Sequence, residues 1–179
     1  MERWVDFDVI THDALAATLD ELGIRIPPDL DAVADSFVDL PLADEAAEVV
    51  RRLHEQGVTT GVLTNASIAT LERVGDRLGP TFEHLLSVDA ARRYKPHPTV
   101  YQLAVDATGL EPARIGFVTA NGWDAAGAGA FGFRVAWLRT DPAGRLPSVG
   151  APEPIIATWA DIVSTFVPPI SGTNPVATV

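Results

Sequence analysis

The strongest constraint on this chain is a rhythm that begins near residue 41. Short apolar runs of strand length at 58–63, 85–88, 115–118 and 135–138 alternate with stretches whose apolar residues fall at helical spacing. Ala46, Val49, Val50 and Leu53 follow an i, i+3, i+4, i+7 pattern that Gly57 ends. Ile68, Leu71, Val74 and Leu78 repeat it behind Ser67, a residue suited to cap a helix, and Gly79-Pro80 ends it. Pro98 can stand in the first turn of a further helix carrying Val100, Leu103, Ala104 and Ala107, closed by Gly109. Helices are also expected over 124–131 and about 159–166, with Ile155-Ile156 as another short strand. Alternating strands and helices predict the α/β class, a parallel sheet covered by helices on both faces.

Outside that rhythm the chain divides twice. Residues 1–40 carry one helical pattern at 12–22, stopped by Gly23, and a weaker one at 29–38, with breaks at Ile26-Pro27-Pro28 and Pro41. Residues 167–179 hold Pro, Gly, Ser, Thr and Asn without periodicity and are expected to be disordered. The predicted organisation is therefore 1–40, a core over 41–166, and a tail over 167–179. A chain of 179 residues suffices for one domain with a core. A net charge of −11 opposes a broad nucleic-acid surface. No run is long and uncharged enough for a membrane helix, and the first residues lack the pattern of a secretion signal. Without Cys, disulfides and thiolate metal sites are excluded. The expected setting is cytoplasmic, with neither nucleic acid nor membrane as partner.

Three polar segments follow the apolar runs or sit in adjoining loops: Thr64-Asn65; Lys95 within Tyr94-Lys95-Pro96-His97-Pro98; and Thr119, Asn121 and Asp124. In a parallel sheet the strand ends of one polarity share one edge, so these segments can converge there. A hydroxyl, an amide, an ammonium and a carboxylate would then line one pocket, a set suited to orienting an anionic substrate or an enzyme carboxylate. Taken singly, each also has an ordinary role. Thr64 and Asn65 suit a turn, Asn121-Gly122 is a common turn dipeptide, Asp124 can cap a helix, and a lone lysine is usually on the surface.

Four words in this order carry a resemblance: Val62-Leu63-Thr64-Asn65; Leu86-Ser87-Val88-Asp89; Tyr94-Lys95-Pro96-His97-Pro98-Thr99-Val100-Tyr101; and Asn121-Gly122-Trp123-Asp124 leading to Ala130-Phe131-Gly132-Phe133-Arg134. Over roughly residues 4–166 the chain resembles the haloacid dehalogenase superfamily, and within it the type II (L-2-haloacid) dehalogenases. The resemblance implies a Rossmann-like catalytic core preceded by a partial helical cap over 1–40. In such enzymes an Asp carboxylate displaces halide from C2 of a 2-haloacid, and water hydrolyses the resulting ester to the inverted 2-hydroxy acid. It implies that Lys95 holds that Asp ionised and positioned, and that Thr64 and Asn65 bind substrate, with Asn65 near the departing halide. Thr119, Asn121 and Asp124 would orient Lys95, the nucleophile and the water. Tyr101 would lie near the substrate, and Phe7 would line an apolar pocket from the cap, although plain helix packing also accounts for Phe7. The implied partner is a small 2-haloacid, with no cofactor, and a homodimer stays open.

The superfamily's phosphatases hold Mg²⁺ with two acids four residues apart. Here Ala120 stands four residues before Asp124, so the resemblance points to the branch that uses no metal. The chain also departs from the dehalogenases: Thr64 replaces a usual Ser, Ala66 a usual Gly, and Thr119-Ala120 a usual Ser-Ser, changes that bear on substrate choice. The family's nucleophile belongs to an Asp-x-x-x-Thr word ending a central strand. Asp8-Val9-Ile10-Thr11 is one residue short, and Met1 to Val5 include Glu2 and Arg3, a poor buried strand. The expectation is a chain that lacks this strand, is unstable or oligomeric alone, and does not turn over L-2-chloropropionate. Two alternatives remain open: a Mg²⁺-dependent phosphatase using Asp6 or Asp8, and a non-catalytic binder of small acids or a protein.

Overall fold

The computed structural model describes residues 4–41, 43–78, 82–139, 154–156, 158–167 and 177–178. Helix α1 (Phe7–Glu21) starts five residues before the apolar period suggests, because the Asp6 carboxylate accepts the Asp8 amide and opens the first turn there. Helix α2 (Leu30–Asp35) is capped in the same way by Asp29. None of the α1 side chains is buried, and the two helices pack mainly on each other. They are tied to the rest through Asp8, which accepts from Ser67 Oγ at 2.6 Å, through an Arg73–Asp35 ion pair at 2.9 Å, and through Tyr94 OH, which donates to the Val5 carbonyl.

The core follows the expected alternation: α3 (Asp44–Glu55), β1 (Gly61–Thr64), α4 (Ile68–Leu78), β2 (His84–Ser87), α5 (Pro98–Thr108), β3 (Ile115–Thr119), α6 (Gly122–Phe131), β4 (Arg134–Leu138), β5 (Ile155–Ile156) and α7 (Ala160–Phe166). Val88 falls outside β2, because the Ser87 hydroxyl accepts the Asp89 amide and turns the chain into a single 3₁₀ turn. Gly109 ends α5 at φ 68°, a left-handed cap that favours glycine.

All strand pairs are parallel, and helices cover both faces. Along β4 the side chains alternate: Val135 and Trp137 join the core under α5 and α6, while Ala136 and Leu138 join the core under α3 and α7. The predicted α/β class is borne out. Instead of one continuous sheet, however, the strands form a pair, β1-β2, and a four-stranded sheet in which a final strand, β6 (Ala177–Thr178), completes the order β5-β4-β3-β6. Among the described residues no strand joins β1 to β3. The last strand, β6 (Ala177–Thr178), falls inside the segment expected to be disordered and pairs with β3, Ile115 opposite Ala177 and Gly116 opposite Thr178. Residues 168–176 and 179 of that segment lie outside the described residues.

Candidate active site

Thr64 ends β1 and Thr119 ends β3, and the two ends come together because Lys95 Nζ reaches both the Leu63 carbonyl and Asp124. After β3 the chain turns at once into α6. This helix begins at Gly122, with Asn121 as an N-cap that makes no side-chain cap bond, so Asp124 sits inside the first turn instead of opening the helix. There its carboxylate turns into the core and is 1% exposed.

Asp124 is the hub. Lys95 Nζ donates to Asp124 Oδ2 at 2.9 Å and to the Leu63 carbonyl at 3.0 Å, which joins the end of β1 to the start of α6. Thr119 Oγ1 donates to the same Oδ2 at 3.3 Å, and Tyr101 OH donates to Oδ1 at 2.8 Å. The Lys95 side chain is 11% exposed, and its ammonium lies 5.5 Å from the Phe117 ring centroid. Burying a lysine and an aspartate this deeply requires that each satisfy the other. Asn65 Oδ1 accepts the Lys95 backbone amide at 3.0 Å and fixes the loop that presents the lysine.

The sequence candidates therefore separate by placement. Lys95, Thr119, Asp124, Asn65 and Tyr101 form one bonded group. Thr64 adjoins it, its hydroxyl accepting the Ala66 amide at 3.1 Å in the turn after β1. Asn121 is exposed and gives its amide to Thr119 Oγ1 at 3.1 Å. Tyr101 is fully buried, so its hydroxyl meets Asp124 and not open solvent. Burial, followed by the bond to Asp124, pushes that phenol well above its usual pKa. Phe7 lies elsewhere, against Tyr94 at 5.8 Å between ring centroids, lining a separate cavity of about 350 Å³ with Thr11, Phe37, Ala66 and Val74.

Sequence reading passed over three contributors. The Leu63 carbonyl is invisible as a side-chain motif. Phe117 read as core only. Gly127 looked like a generic helix residue, yet a Cβ there would lie 2.6 Å from both Tyr101 OH and Pro96 Cβ; a glycine inside a helix was the available signal.

Asp6 and Asp8 do not reach this group. The first caps α1, and the second is held by Ser67 and Thr70 at the start of α4. Among the described residues no three acids or histidines are grouped to hold a metal ion. Both oxygens of Asp124 are already engaged, one beside an ammonium, which is a poor setting for a cation.

A family model described as haloacid dehalogenase-like hydrolase matches residues 3–132. The chain belongs to the haloacid dehalogenase-like hydrolase family. Within that family it is 39% identical over 145 residues to an (S)-2-haloacid dehalogenase of Pseudomonas sp. (strain YL), covering 77% of this chain and 61% of the relative. It is 33% identical to haloacetate dehalogenase H-2 of Moraxella sp. (strain B), covering 85% of this chain and 71% of the relative. A solved L-2-haloacid dehalogenase superposes with a TM-score of 0.85 at 32% identity over 91% of this chain and 73% of its own. The L-2-haloacid dehalogenase of Xanthobacter autotrophicus, with chloropropionic acid covalently bound, superposes at 0.81 with 28% identity over 89% of this chain and 75% of its own. The haloacid dehalogenase-like chain thus spans about three fifths of the length of the first of these curated relatives.

Proposed function

We propose that this chain supplies the charge-handling part of a hydrolytic dehalogenase acting on short (S)-2-haloalkanoic acids. The observation that carries the reading is the buried Lys95–Asp124 pair, locked by Tyr101 and Thr119 at the joint end of β1 and β3. It is supported by relatives named for that activity and by a superposable structure that holds a chloropropionic acid covalently.

In the proposed reaction a carboxylate beside Lys95 attacks C2. An oxygen–carbon bond forms, the carbon–halogen bond breaks, and the halide leaves with the electron pair. Water then adds to the ester carbonyl and the bond from that carbonyl to the substrate oxygen breaks; one water proton passes to the departing oxygen and the other to bulk water, which releases the 2-hydroxy acid and restores the carboxylate. Lys95 favours the ionised form of that carboxylate. Asn65 and Thr64 contact substrate and halide, while Thr119 and the exposed Asn121 orient the water. Tyr101 acts as a positioning residue for Asp124, and Phe7 contributes to an apolar wall. No metal takes part, because Ala120 supplies no oxygen side chain and Asp124 is engaged. The setting proposed is cytoplasmic; among the described residues no helix is long and apolar enough to cross a membrane.

No described carboxylate other than Asp124 bonds to Lys95, so the chain alone is expected to bind substrate without turning it over. Titrating it with L-2-chloropropionate and following amide NMR shifts tests this. Shifts at 64–65 and 119–124 that vanish in Asn65→Ala are expected. No shift there, or Mg²⁺-dependent hydrolysis of p-nitrophenyl phosphate lost in Asp8→Asn, would contradict it.

A further inference from the structure

Trp137 is buried in the core, yet its one polar group reaches the site. It lies on β4, is 3% exposed, and stands opposite Thr119 in the parallel register. A buried indole N–H needs an acceptor. Here Nε1 donates to the Ala120 carbonyl at 3.1 Å, just past the end of β3. The N–H on the other side of that peptide bond belongs to Asn121 and donates to Thr119 Oγ1, also at 3.1 Å. One peptide unit, Ala120–Asn121, is therefore held at both of its polar groups. A peptide unit is planar, so fixing its C=O and its N–H fixes the rotation of the whole plane about the chain. The bonds continue from there. Thr119 Oγ1 donates to Asp124 Oδ2, which also receives Lys95 Nζ. Every donor from the Trp137 indole to Thr119 thus points toward the buried carboxylate, an alignment in which hydrogen bonds strengthen one another. The Arg139 guanidinium lies over the Trp137 ring, 5.2 Å from its centroid, and packs it from one side.

We propose that Trp137 is a positioning residue for the haloacid reaction: its indole N–H aims the Ala120–Asn121 peptide, and with it the Asn121 side chain and the Thr119 hydroxyl. Asn121 is exposed and makes no side-chain cap bond at the start of α6, so its direction is set by the backbone that carries it. That backbone has left the ladder: Thr119 is the last residue of β3 paired with β4, and Ala120 is exposed. The indole N–H reaches across from β4 and replaces the ladder bond that a longer strand would supply. Without it the Ala120 carbonyl turns to solvent. The planar unit then carries the Asn121 N–H away from Thr119 Oγ1, and the hydroxyl loses the bond that orients it toward Asp124. The task of Asn121 and Thr119 in orienting water rests on the proposed dehalogenase reading; the pinning of their shared peptide by Trp137 does not.

The test uses the full chain with Trp137 replaced in two ways. Trp137→Phe removes the N–H together with part of the ring. Benzothienylalanine at position 137, introduced by amber suppression, keeps the shape of the ring and exchanges only the N–H for sulfur. Hydrogen exchange of the Asn121 amide reads the peptide, and amide shifts during titration with L-2-chloropropionate read the site. In both variants exchange at Asn121 should quicken about fivefold, the worth of one hydrogen bond. L-2-Chloropropionate should bind about fivefold more weakly, with saturating shifts reduced at 119–124 and kept at 64–65. A role in packing alone predicts another pattern: Trp137→Phe quickens exchange all along β3 and β4 while benzothienylalanine matches the wild type. That pattern, or unchanged exchange at Asn121 in both variants, overturns the proposal. Unchanged exchange beside normal wild-type binding sinks the pinning by Trp137 and keeps the haloacid reading. Quickened exchange at Asn121 beside a wild-type chain that shows no shift keeps the pinning and sinks the haloacid reading.

Discussion

Tyr101 shows how much of the site depends on one hydroxyl. It is 0% exposed and its OH is the partner of Asp124 Oδ1. In Tyr101→Phe that buried oxygen loses its donor, so a loss of about 1–3 kcal/mol in urea unfolding is expected. The pH profile gives a second reading. Burial raises the phenol above its usual value of about 10, so above that pH the unfolded chain releases a proton that the folded chain keeps. Stability should be level with respect to this group below about pH 10 and fall as pH rises beyond it. Tyr94, also raised chiefly by burial, acts in the same direction. Tyr101→Phe should therefore reduce, but not remove, the alkaline slope of the urea midpoint between about pH 9 and 11. An unchanged slope would mean that the hydroxyl is not held as described.

At the scale of elements, Ser67 joins two jobs. Its hydroxyl accepts the Thr70 amide at 3.1 Å as the cap of α4 and donates to Asp8 in α1 at 2.6 Å. Ser67→Ala should cost about 1 kcal/mol or more and loosen α1 from the core, read as faster hydrogen exchange over 7–21. The capping half of this was legible in the sequence, as were α3, α4, α5 and the strand–helix alternation, because each rests on local periodicity and punctuation. α6 was misplaced by two residues, since Asn121-Gly122 reads as a turn while the extended Asn121 is in fact the last residue before the helix. The start of α1 was missed because its first turn breaks the apolar period and is set by Asp6 alone. The convergence of Thr119, Lys95 and Asp124 was legible from strand polarity. The burial of Tyr101 against Asp124 was not, because a Tyr after a Lys-Pro word gives no sign of which way it packs.

Across the whole molecule the deciding feature is the separation of β1-β2 from the larger sheet. Local sequence patterns carry no information on which strands pair, and β6, two residues from an aperiodic tail, could not be read as a strand of that sheet. Among the described residues no strand joins the two sheets, and strand edges left open in this way are a template for association between copies. Sedimentation at rising concentration should show self-association. A sharp, cooperative melt of a monomer at every concentration would count against open edges. The most direct test of the account as a whole is the amide NMR titration with L-2-chloropropionate, run on the chain and on Asn65→Ala. Saturable shifts at 64–65 and 119–124 that Asn65→Ala abolishes are predicted. No shift in those segments, or shifts there that Asn65→Ala leaves unchanged, would contradict it.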